Sequence, residues 1–205
     1  MIWLYRAPFS TNVERVALAL AHKGLEVESI VISYDDRTEV EQVSGQGLVP
    51  VIDDEGEIVT DSTRILGYLE EHYPERPIFP VDPARRAEAE IFIDWFNEVW
   101  KGAPNTIEFE LESEEPNQDV IESEGRRMAA ALDLFERMLD GRDYLMGDEV
   151  TAADFAAFPF LKYGRFRDPD DDELFHRILE LHQQLGDDHP RLAAWIDRVN
   201  ELPRA

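Results

Sequence analysis

The residues best suited to chemistry stand near the start of the chain, where P-F-S-T-N-V-E-R-V covers residues 8–16. Ser10 and Val13 have the spacing of the two thiols in a Cys-x-x-Cys redox site, but neither is a cysteine. Thr11 and Glu14 match the Ser/Thr-x-x-Glu capping box, which predicts a helix with Thr11 as its N-cap and Ser10 just outside. A helix N-terminus stabilises negative charge and lowers the pKa of a thiol placed beside it. Ser10 could therefore donate a hydrogen bond to the thiolate of a ligand. The alternative is that Ser10 is itself an ordinary capping residue.

Two further points along the chain could hold an extended ligand. Val49-Pro50 begins a predicted strand, and the residue beside such a proline keeps a free N–H and C=O with which a peptide could pair. The alternative there is a plain edge strand. Asp61-Ser62 lies between a predicted strand and a predicted helix, where both residue types are preferred caps. In a binding role, Ser62 and a first-turn N–H would hold a carboxylate, and Asp61 would hold an ammonium group.

The elements that must position these residues form a mixed α/β pattern in the first part of the chain. Short apolar or alternating runs indicate strands, and apolar residues at helical spacing indicate helices. We predict strands over 2–5 and 26–32, a helix over 12–24, a β-hairpin over 49–60 and a helix over 61–74. This order of βαβ, hairpin and helix predicts one sheet with parallel and antiparallel strands.

A different pattern follows a linker marked by prolines at 74, 77, 80 and 83. Beyond it, helical spacing dominates and no strand is predicted. We predict helices over 85–100, 125–139, 152–161, 173–185 and 190–199, and interpret the acidic stretch 108–119 as a solvated helix end plus loop. The fold class is therefore α/β plus all-α, with an N-terminal mixed-sheet domain over 1–79 and an all-helical domain over 85–205.

The composition narrows the classes of function. The 205 residues include 45 acidic and 20 basic ones, for a formal net charge of −25, which disfavours nucleic acid and anionic membranes as partners. There is no run of roughly 18 apolar residues and no signal-peptide pattern, so we expect a cytoplasmic protein. Cysteine is absent, and the five histidines show no metal-ligand spacing, so no metal site is expected.

The order of these features resembles the thioredoxin-like domain of the glutathione transferase superfamily. The resemblance rests on Ser10 placed six residues before Val16, on Val49-Pro50, on Asp61-Ser62 followed by T-R-I-L-G-Y-L-E-E-H-Y-P, and on the proline-marked linker. The second half agrees, because Y-L-M-G-D-E-V-T-A-A-D-F (144–155) is similar to a motif of that superfamily's helical domain. In that motif Thr151 and Asp154 form a buried capping box. The resemblance covers essentially the whole chain.

The resemblance implies a thioredoxin-like fold for the first domain and a role for each candidate residue. Ser10 would stabilise the thiolate of glutathione, with Tyr5 as its rival, because some classes use a tyrosine at the end of the first strand. Val49, which precedes a cis Pro50, would pair its backbone with the cysteinyl part of glutathione. Asp61 and Ser62 would hold the γ-glutamyl end. Arg37 would bind the glycine carboxylate. Basic residues that could offset the acidic surface are Arg6, Arg15, Arg37 and Arg64.

The implied activity is conjugation of glutathione to small electrophilic, apolar substrates, as in detoxification, by a homodimer. The co-substrate pocket would lie between the domains and be lined by Phe9, Trp95 and Trp100; simple core packing is the alternative for the two tryptophans. Members often carry a lysine or glutamine two or three residues before the proline, where this chain has Gly47 and Leu48. The alternative function is therefore a non-catalytic binding or interaction protein of the same fold.

Overall fold

The computed structural model describes residues 1–205. The first compact unit comprises Met1–Arg86 together with Leu202–Ala205. Its elements in chain order are β1 (Ile2–Arg6), α1 (Thr11–Lys23), β2 (Val27–Val31), α2 (Thr38–Ser44), β3 (Val51–Asp54), β4 (Glu57–Thr60) and α3 (Ser62–His72). The strands form one sheet in the order β2-β1-β3-β4, in which β1 runs parallel to β2 and antiparallel to β3, and β3 pairs antiparallel with β4. The predicted mixed sheet is confirmed.

Alternation along β1 distributes its side chains over the two faces of this sheet. Tyr5 packs with Ile32, Val40 and Val51 in a buried cluster on the face that α2 covers. Leu4 is fully buried and points to the opposite face. On that side of the fold α1 and α3 pack against each other. Both helices begin next to residues that the sequence predicts to bind a ligand.

The proline-marked segment that follows α3 is anchored by a buried ion pair. Lys23 at the end of α1 donates from Nζ to Oε2 of Glu70 over 3.0 Å and to the carbonyl of Tyr73 over 2.8 Å. Glu70 also accepts a hydrogen bond from the backbone N–H of Ile78 at 2.9 Å. Because the Lys23 side chain is fully buried, these contacts satisfy a charge that would otherwise be costly to bury.

The second compact unit, Ala87–Glu201, is helical. Its elements are α4 (Pro83–Trp95), which starts within the first unit, a π-helical segment (Phe96–Trp100), α5 (Gly102–Glu112), α6 (Gln118–Met138), α7 (Ala152–Leu161), a short 3₁₀ turn (Lys162–Gly164), α8 (Leu174–His182) and α9 (Pro190–Asn200). None of these helices is long and apolar enough to span a bilayer.

Helix α7 lies in the core of the helical unit, and every one of its residues is buried. Its sequence, A-A-D-F-A-A-F-P-F-L, is apolar on all sides except at Asp154, as expected of a helix surrounded by others. Thr151 and Asp154 form the predicted capping box at its N-terminus. Phe160 at the other end packs edge-on against Phe96 and Trp100, which stack on each other with ring centroids 4.4 Å apart.

Three helical features differ from the sequence-based expectation, and the first is that α5 (Gly102–Glu112) was not predicted as a separate helix. Helix α2 was not predicted, because it has only seven residues and buries only Val40. Helix α6 begins at Gln118, seven residues before the predicted start, because the Oδ1 of Asn117 accepts the N–H groups of Asp119 and Val120 and so caps it. The acidic stretch 108–119 is therefore the end of α5, a loop over residues 113–117, and the first turn of α6.

Candidate functional site

The register of the sheet brings the candidate residues of the first unit to one edge. Tyr5 at the end of β1 lies opposite Val51, and Val51 lies opposite Thr60 at the end of β4. The loop after β1, the residues before β3 and the residues after β4 therefore leave the sheet at the same end. These three connections carry Ser10, Val49 with Pro50, and Asp61 with Ser62, respectively.

Ser10 is the N-cap of α1, which corrects the prediction that Thr11 holds this position. The Oγ of Ser10 accepts a hydrogen bond from the N–H of Val13 at 3.3 Å, and its carbonyl accepts from the N–H of Glu14 at 3.0 Å. No capping box forms, because the N3 residue of the Ser10 cap is Val13, whose side chain has no acceptor. The Glu14 carboxylate binds Arg204. A serine hydroxyl has one hydrogen and two acceptor lone pairs, so the cap leaves its hydrogen available for another acceptor.

Two first-turn amides of α1 add to the donor capacity of this site. The N–H groups of Thr11 and Asn12 make no hydrogen bond within the chain, as is usual in the first turn of a helix. The preceding loop is held in a defined shape, because Phe9 has a positive φ of 58° and the Tyr34 hydroxyl donates to the carbonyl of Pro8 at 2.6 Å. An anion at this helix end would meet the Ser10 hydroxyl, unpaired amides and the positive end of the helix dipole.

The segment before β3 presents an open stretch of backbone. The Val49–Pro50 peptide bond is cis, as the resemblance implied. The Gln46 side chain binds Leu48 twice, accepting from its N–H at 2.6 Å and donating to its carbonyl at 2.9 Å. The N–H and C=O of Val49 make no hydrogen bond, so both are available to an extended ligand.

Asp61 and Ser62 stand at the start of α3, where only Asp61 caps the helix. Asp61 is the N-cap, with φ 70° and ψ 125°, and its Oδ1 accepts the N–H groups of Thr63 and Arg64, each at 3.0 Å. Those two amides are thus already used by the protein. The Oδ2 of Asp61 and the N–H of Ser62 make no hydrogen bond. Asp61 is exposed, whereas Ser62 is buried.

Arg37 lies at the start of α2, against the segment before Pro50. An added Cβ at Gly47 would approach the Cβ of Arg37 to 3.5 Å and the Oε1 of Glu41 to 3.1 Å. The guanidinium of Arg37 lies over the Tyr34 ring, with Cζ 4.8 Å from the centroid, and its Nη1 is buried without a hydrogen-bond partner. A buried cationic donor without an acceptor is costly, and a ligand carboxylate would satisfy it.

The other three arginines differ in their availability. Arg6 is engaged with the Ser29 hydroxyl and the carbonyl of Ala205. The Arg64 side chain is exposed. Arg15 is almost completely buried within α1, and its Nη1 donates to the Oγ of Ser62 over 3.3 Å. The sequence pointed to Arg15 only as one member of a basic set; its bond to Ser62 joins residues 47 positions apart and has no local signature.

Tyr5, the rival of Ser10, occupies a less favourable environment. It is buried in the cluster beneath α2, and burial, reinforced by the negative charges of Asp53 and Glu39, raises the pKa of its hydroxyl. A phenol with a raised pKa is a weaker hydrogen-bond donor to an anion, and the nearby carboxylates repel a thiolate. The environment of Tyr5 therefore favours Ser10 as the thiolate-binding residue.

Trp95 and Trp100 lie in the helical unit, where both line a cavity of about 290 Å³. Its other walls come from Val99 and Ala103 and from α6 between Arg127 and Leu134. Trp100 also stacks on Phe96, so core packing accounts for one side of its ring. Phe9 belongs to the first unit and is partly exposed. Nowhere do three or more His, Cys, Asp or Glu side chains gather in a way that could hold a metal.

Comparison with known proteins agrees with this fold. The profile of the glutathione S-transferase N-terminal domain matches residues 4–77, and that of the glutathione S-transferase C-terminal domain matches residues 100–203. The chain therefore belongs to the glutathione transferase family, whose members use glutathione as a substrate.

Individual relatives support the same assignment. Glutathione S-transferase GstB of Escherichia coli strain K12 is 32% identical over 172 residues, covering 78% of this chain and 82% of the relative. Glutathione S-transferase omega-1 of Mus musculus is 26% identical over 209 residues, covering 100% of this chain and 78% of the relative. The crystal structure of a glutathione S-transferase from Rhodospirillum rubrum F11 superposes with a TM-score of 0.76 at 25% identity, covering 98% of this chain and 88% of the other.

Proposed function

We propose that this protein conjugates glutathione to small apolar electrophiles and that Ser10 stabilises the attacking thiolate. The observation that carries the proposal is the N-terminus of α1. There the Ser10 Oγ accepts the hydrogen bond that caps the helix, so the hydroxyl hydrogen remains available to a ligand. The unpaired N–H groups of Thr11 and Asn12 lie beside it. Such donors lower the pKa of a bound thiol because they stabilise only its charged form.

The rest of the glutathione molecule would extend along the same edge of the sheet. The N–H and C=O of Val49, next to Pro50, would pair with the cysteinyl backbone as a short β-ladder. The free Oδ2 of Asp61 would accept from the γ-glutamyl ammonium group, and Ser62 would donate to its carboxylate. Arg37 would bind the glycine carboxylate through its unpaired Nη1. Each of these roles uses a group whose hydrogen-bonding capacity is unfilled.

The chemistry follows from this placement. The thiol loses its proton to solvent. The thiolate then forms a C–S bond with an electrophilic carbon of the second substrate as that carbon's bond to its leaving group breaks, and the leaving group departs as an anion. The protein contributes thiolate stabilisation by Ser10 and the helix N-terminus, and proximity of the two reactants. In this proposal Phe9, Trp95 and Trp100 contact the apolar co-substrate. The cavity lined by the two tryptophans supports this role for Trp95 and Trp100.

Replacement of Ser10 tests the proposal directly. We expect Ser10→Ala to lower the conjugation rate at neutral pH by about tenfold or more, and to shift the pH–rate profile upward, because each unit of thiol pKa changes the thiolate fraction about tenfold. Tyr5→Phe should leave the rate nearly unchanged. Full activity in Ser10→Ala together with lost activity in Tyr5→Phe would identify Tyr5 as the active residue.

The N-cap role of Ser10 calls for a matched control. Ser10→Ala also removes the cap bond to Val13, at a cost of about 1 kcal/mol in folding free energy. Ser10→Asp keeps a capping oxygen but has no hydrogen to donate and repels a thiolate, so it should remain stable and yet be inactive. Ser10→Thr keeps both cap and donor and should retain most of the activity. An active Ser10→Asp variant would rule out thiolate stabilisation by this side chain.

A non-catalytic binding role is the second candidate. It is favoured by the segment before Pro50. Many members have a lysine or glutamine there, whereas this chain has Gly47 and the exposed, apolar Leu48, so Arg37 is the nearby cation. Titration calorimetry with glutathione separates the two candidates. Binding without turnover over a panel of electrophiles would favour the binding protein, whereas no binding at millimolar glutathione would point to another low-molecular-weight thiol.

We also propose that the protein is a homodimer. In support, Ile91 on α4 is an apolar residue that is 69% exposed. Sedimentation of Ile91→Glu tests this face, because a charge at an apolar interface position should shift the protein toward monomer.

A further inference from the structure

Arg15 is the most completely buried charged side chain near the proposed binding edge. It extends from α1, one and a half turns beyond the Ser10 cap, and is 1% exposed. Burying a guanidinium costs free energy unless it is compensated by hydrogen bonds and opposite charge. Burial lowers its pKa to about 9, and the negative charge of Asp61 opposes that shift.

The bond from Arg15 fixes how Ser62 can use its hydroxyl. The Nη1 of Arg15 donates to the Oγ of Ser62, and both side chains are buried. With one lone pair occupied by a cationic donor, the Ser62 hydroxyl is polarised and keeps its single hydrogen for an acceptor. The N–H of Ser62 is also unpaired, so the residue offers two donors to one acceptor group.

Asp61 and Arg15 also place opposite charges on neighbouring positions of the α3 N-terminus. Asp61 is exposed and has a free Oδ2, whereas the Arg15 cation lies behind Ser62. A zwitterionic amino-acid group has an ammonium and a carboxylate on one carbon atom. The exposed Asp61 carboxylate would face the ammonium group, and the buried Arg15 cation, bonded to Ser62, would lie on the side of the carboxylate.

We infer that Arg15 is a positioning residue that holds Ser62 as a donor to the α-carboxylate of an amino-acid-type ligand end. The inference rests on the proposed function, since it concerns the γ-glutamyl end of the thiol. Arg15 does not contact the reacting sulfur. It joins α1, which carries Ser10, to α3, which carries the carboxylate site, and its effect is on ligand affinity rather than on the chemical step.

The test compares two ligands by titration calorimetry: glutathione, and γ-aminobutyryl-cysteinylglycine, which lacks only the α-carboxylate. The wild type should bind glutathione about tenfold more tightly than the analogue, corresponding to about 1.4 kcal/mol. Arg15→Gln should lose that preference, binding glutathione about tenfold more weakly and the analogue nearly as well as the wild type does. In turnover, its KM for glutathione should rise about tenfold, with kcat within about twofold.

Ser62→Ala is a second variant that leaves the buried cation in place, and it keeps the inference testable if Arg15→Gln folds poorly. It should lose the same preference between the two ligands. The double variant should be no worse than either single one, because both act on the same hydrogen bond. The inference is wrong if Ser62→Ala keeps the wild-type preference for glutathione over the analogue. It is also wrong if Arg15→Gln binds both ligands more weakly by the same factor, because Arg15 would then only hold α1 and α3 together. Failure of the wild type to bind glutathione would instead overturn the proposed function, and this inference with it.

Discussion

The Oδ1 of Asp154 accepts a hydrogen bond from the indole Nε1–H of Trp195 across 2.8 Å, joining the start of α7 to the middle of α9. The same carboxylate accepts from the N–H of Leu145 at 2.9 Å and from the N–H and hydroxyl of Thr151 at 2.8 and 3.0 Å. Both Asp154 and Trp195 are fully buried. One side chain thus satisfies donors from the N-cap of α7, from α9 and from the loop before α7.

Removal of this carboxylate should destabilise the protein severely. We expect Asp154→Ala to lower the free energy of unfolding by about 3 kcal/mol or more, because it leaves several buried donors without an acceptor at about 1–3 kcal/mol each. Trp195→Phe removes one donor and shrinks the ring that packs edge-on against Phe158, and should cost less. Urea unfolding of the two variants and their double mutant measures the coupling. Additive losses would contradict a shared hydrogen bond.

The Asp154 capping box was expected from the resemblance and is formed within four residues. At α1 the sequence left two possible N-caps, Thr11 and Ser10. Thr11 and Glu14 carry the same kind of signature, but Glu14 is bound by Arg204, 190 positions away, at 2.9 Å. The structure has Ser10 as the N-cap, so its N3 residue is Val13, whose side chain cannot complete a capping box.

Other parts of the fold show the same division between local and distant causes. The strands and the α1 and α3 helices have strong apolar periodicity, and their positions were predicted to within about two residues. Helix α2 has a single buried residue and gave no such signal. The link between Arg15 and Ser62 depends on how two helices pack, which the sequence alone does not specify.

A pair of tyrosines predicts how the first unit responds to alkaline pH. The hydroxyls of Tyr68 and Tyr73 both donate to the Oδ2 of Asp54, at 2.9 and 2.6 Å. Burial, followed by the bond to Asp54 and its charge, raises the pKa of Tyr68 to about 12 and also raises that of Tyr73. Because the folded pKa of each phenol exceeds its ordinary value of 10.0, their stabilisation is present below pH 10.0 and is lost as the pH rises through about 12.

We therefore expect a Tyr68→Phe, Tyr73→Phe variant to lose less stability than the wild type over this alkaline window. Chemical unfolding at a series of pH values gives the comparison. Asp54→Asn is the matched probe, because it removes the charge while keeping a similar shape. Titration of tyrosinate absorbance should then show the two phenols ionising at lower pH than in the wild type. An unchanged titration curve would mean that Asp54 does not hold these hydroxyls.

The unpaired Nη1 of Arg37 predicts selectivity for the glycine end of the thiol. γ-Glutamylcysteine lacks the glycine of glutathione, so its second carboxylate lies on the cysteine, one residue short of the position that Arg37 would bind. The wild type should bind glutathione about tenfold more tightly by calorimetry, as expected for one charge-assisted hydrogen bond in a partly buried site. Arg37→Met should bind the two thiols equally, with the affinity for γ-glutamylcysteine unchanged. Arg177→Met, which removes an exposed arginine of α8 and alters the net charge by the same amount, should keep the wild-type preference. Equal losses in the two variants would assign the effect to the overall field of the acidic protein rather than to contact with Arg37.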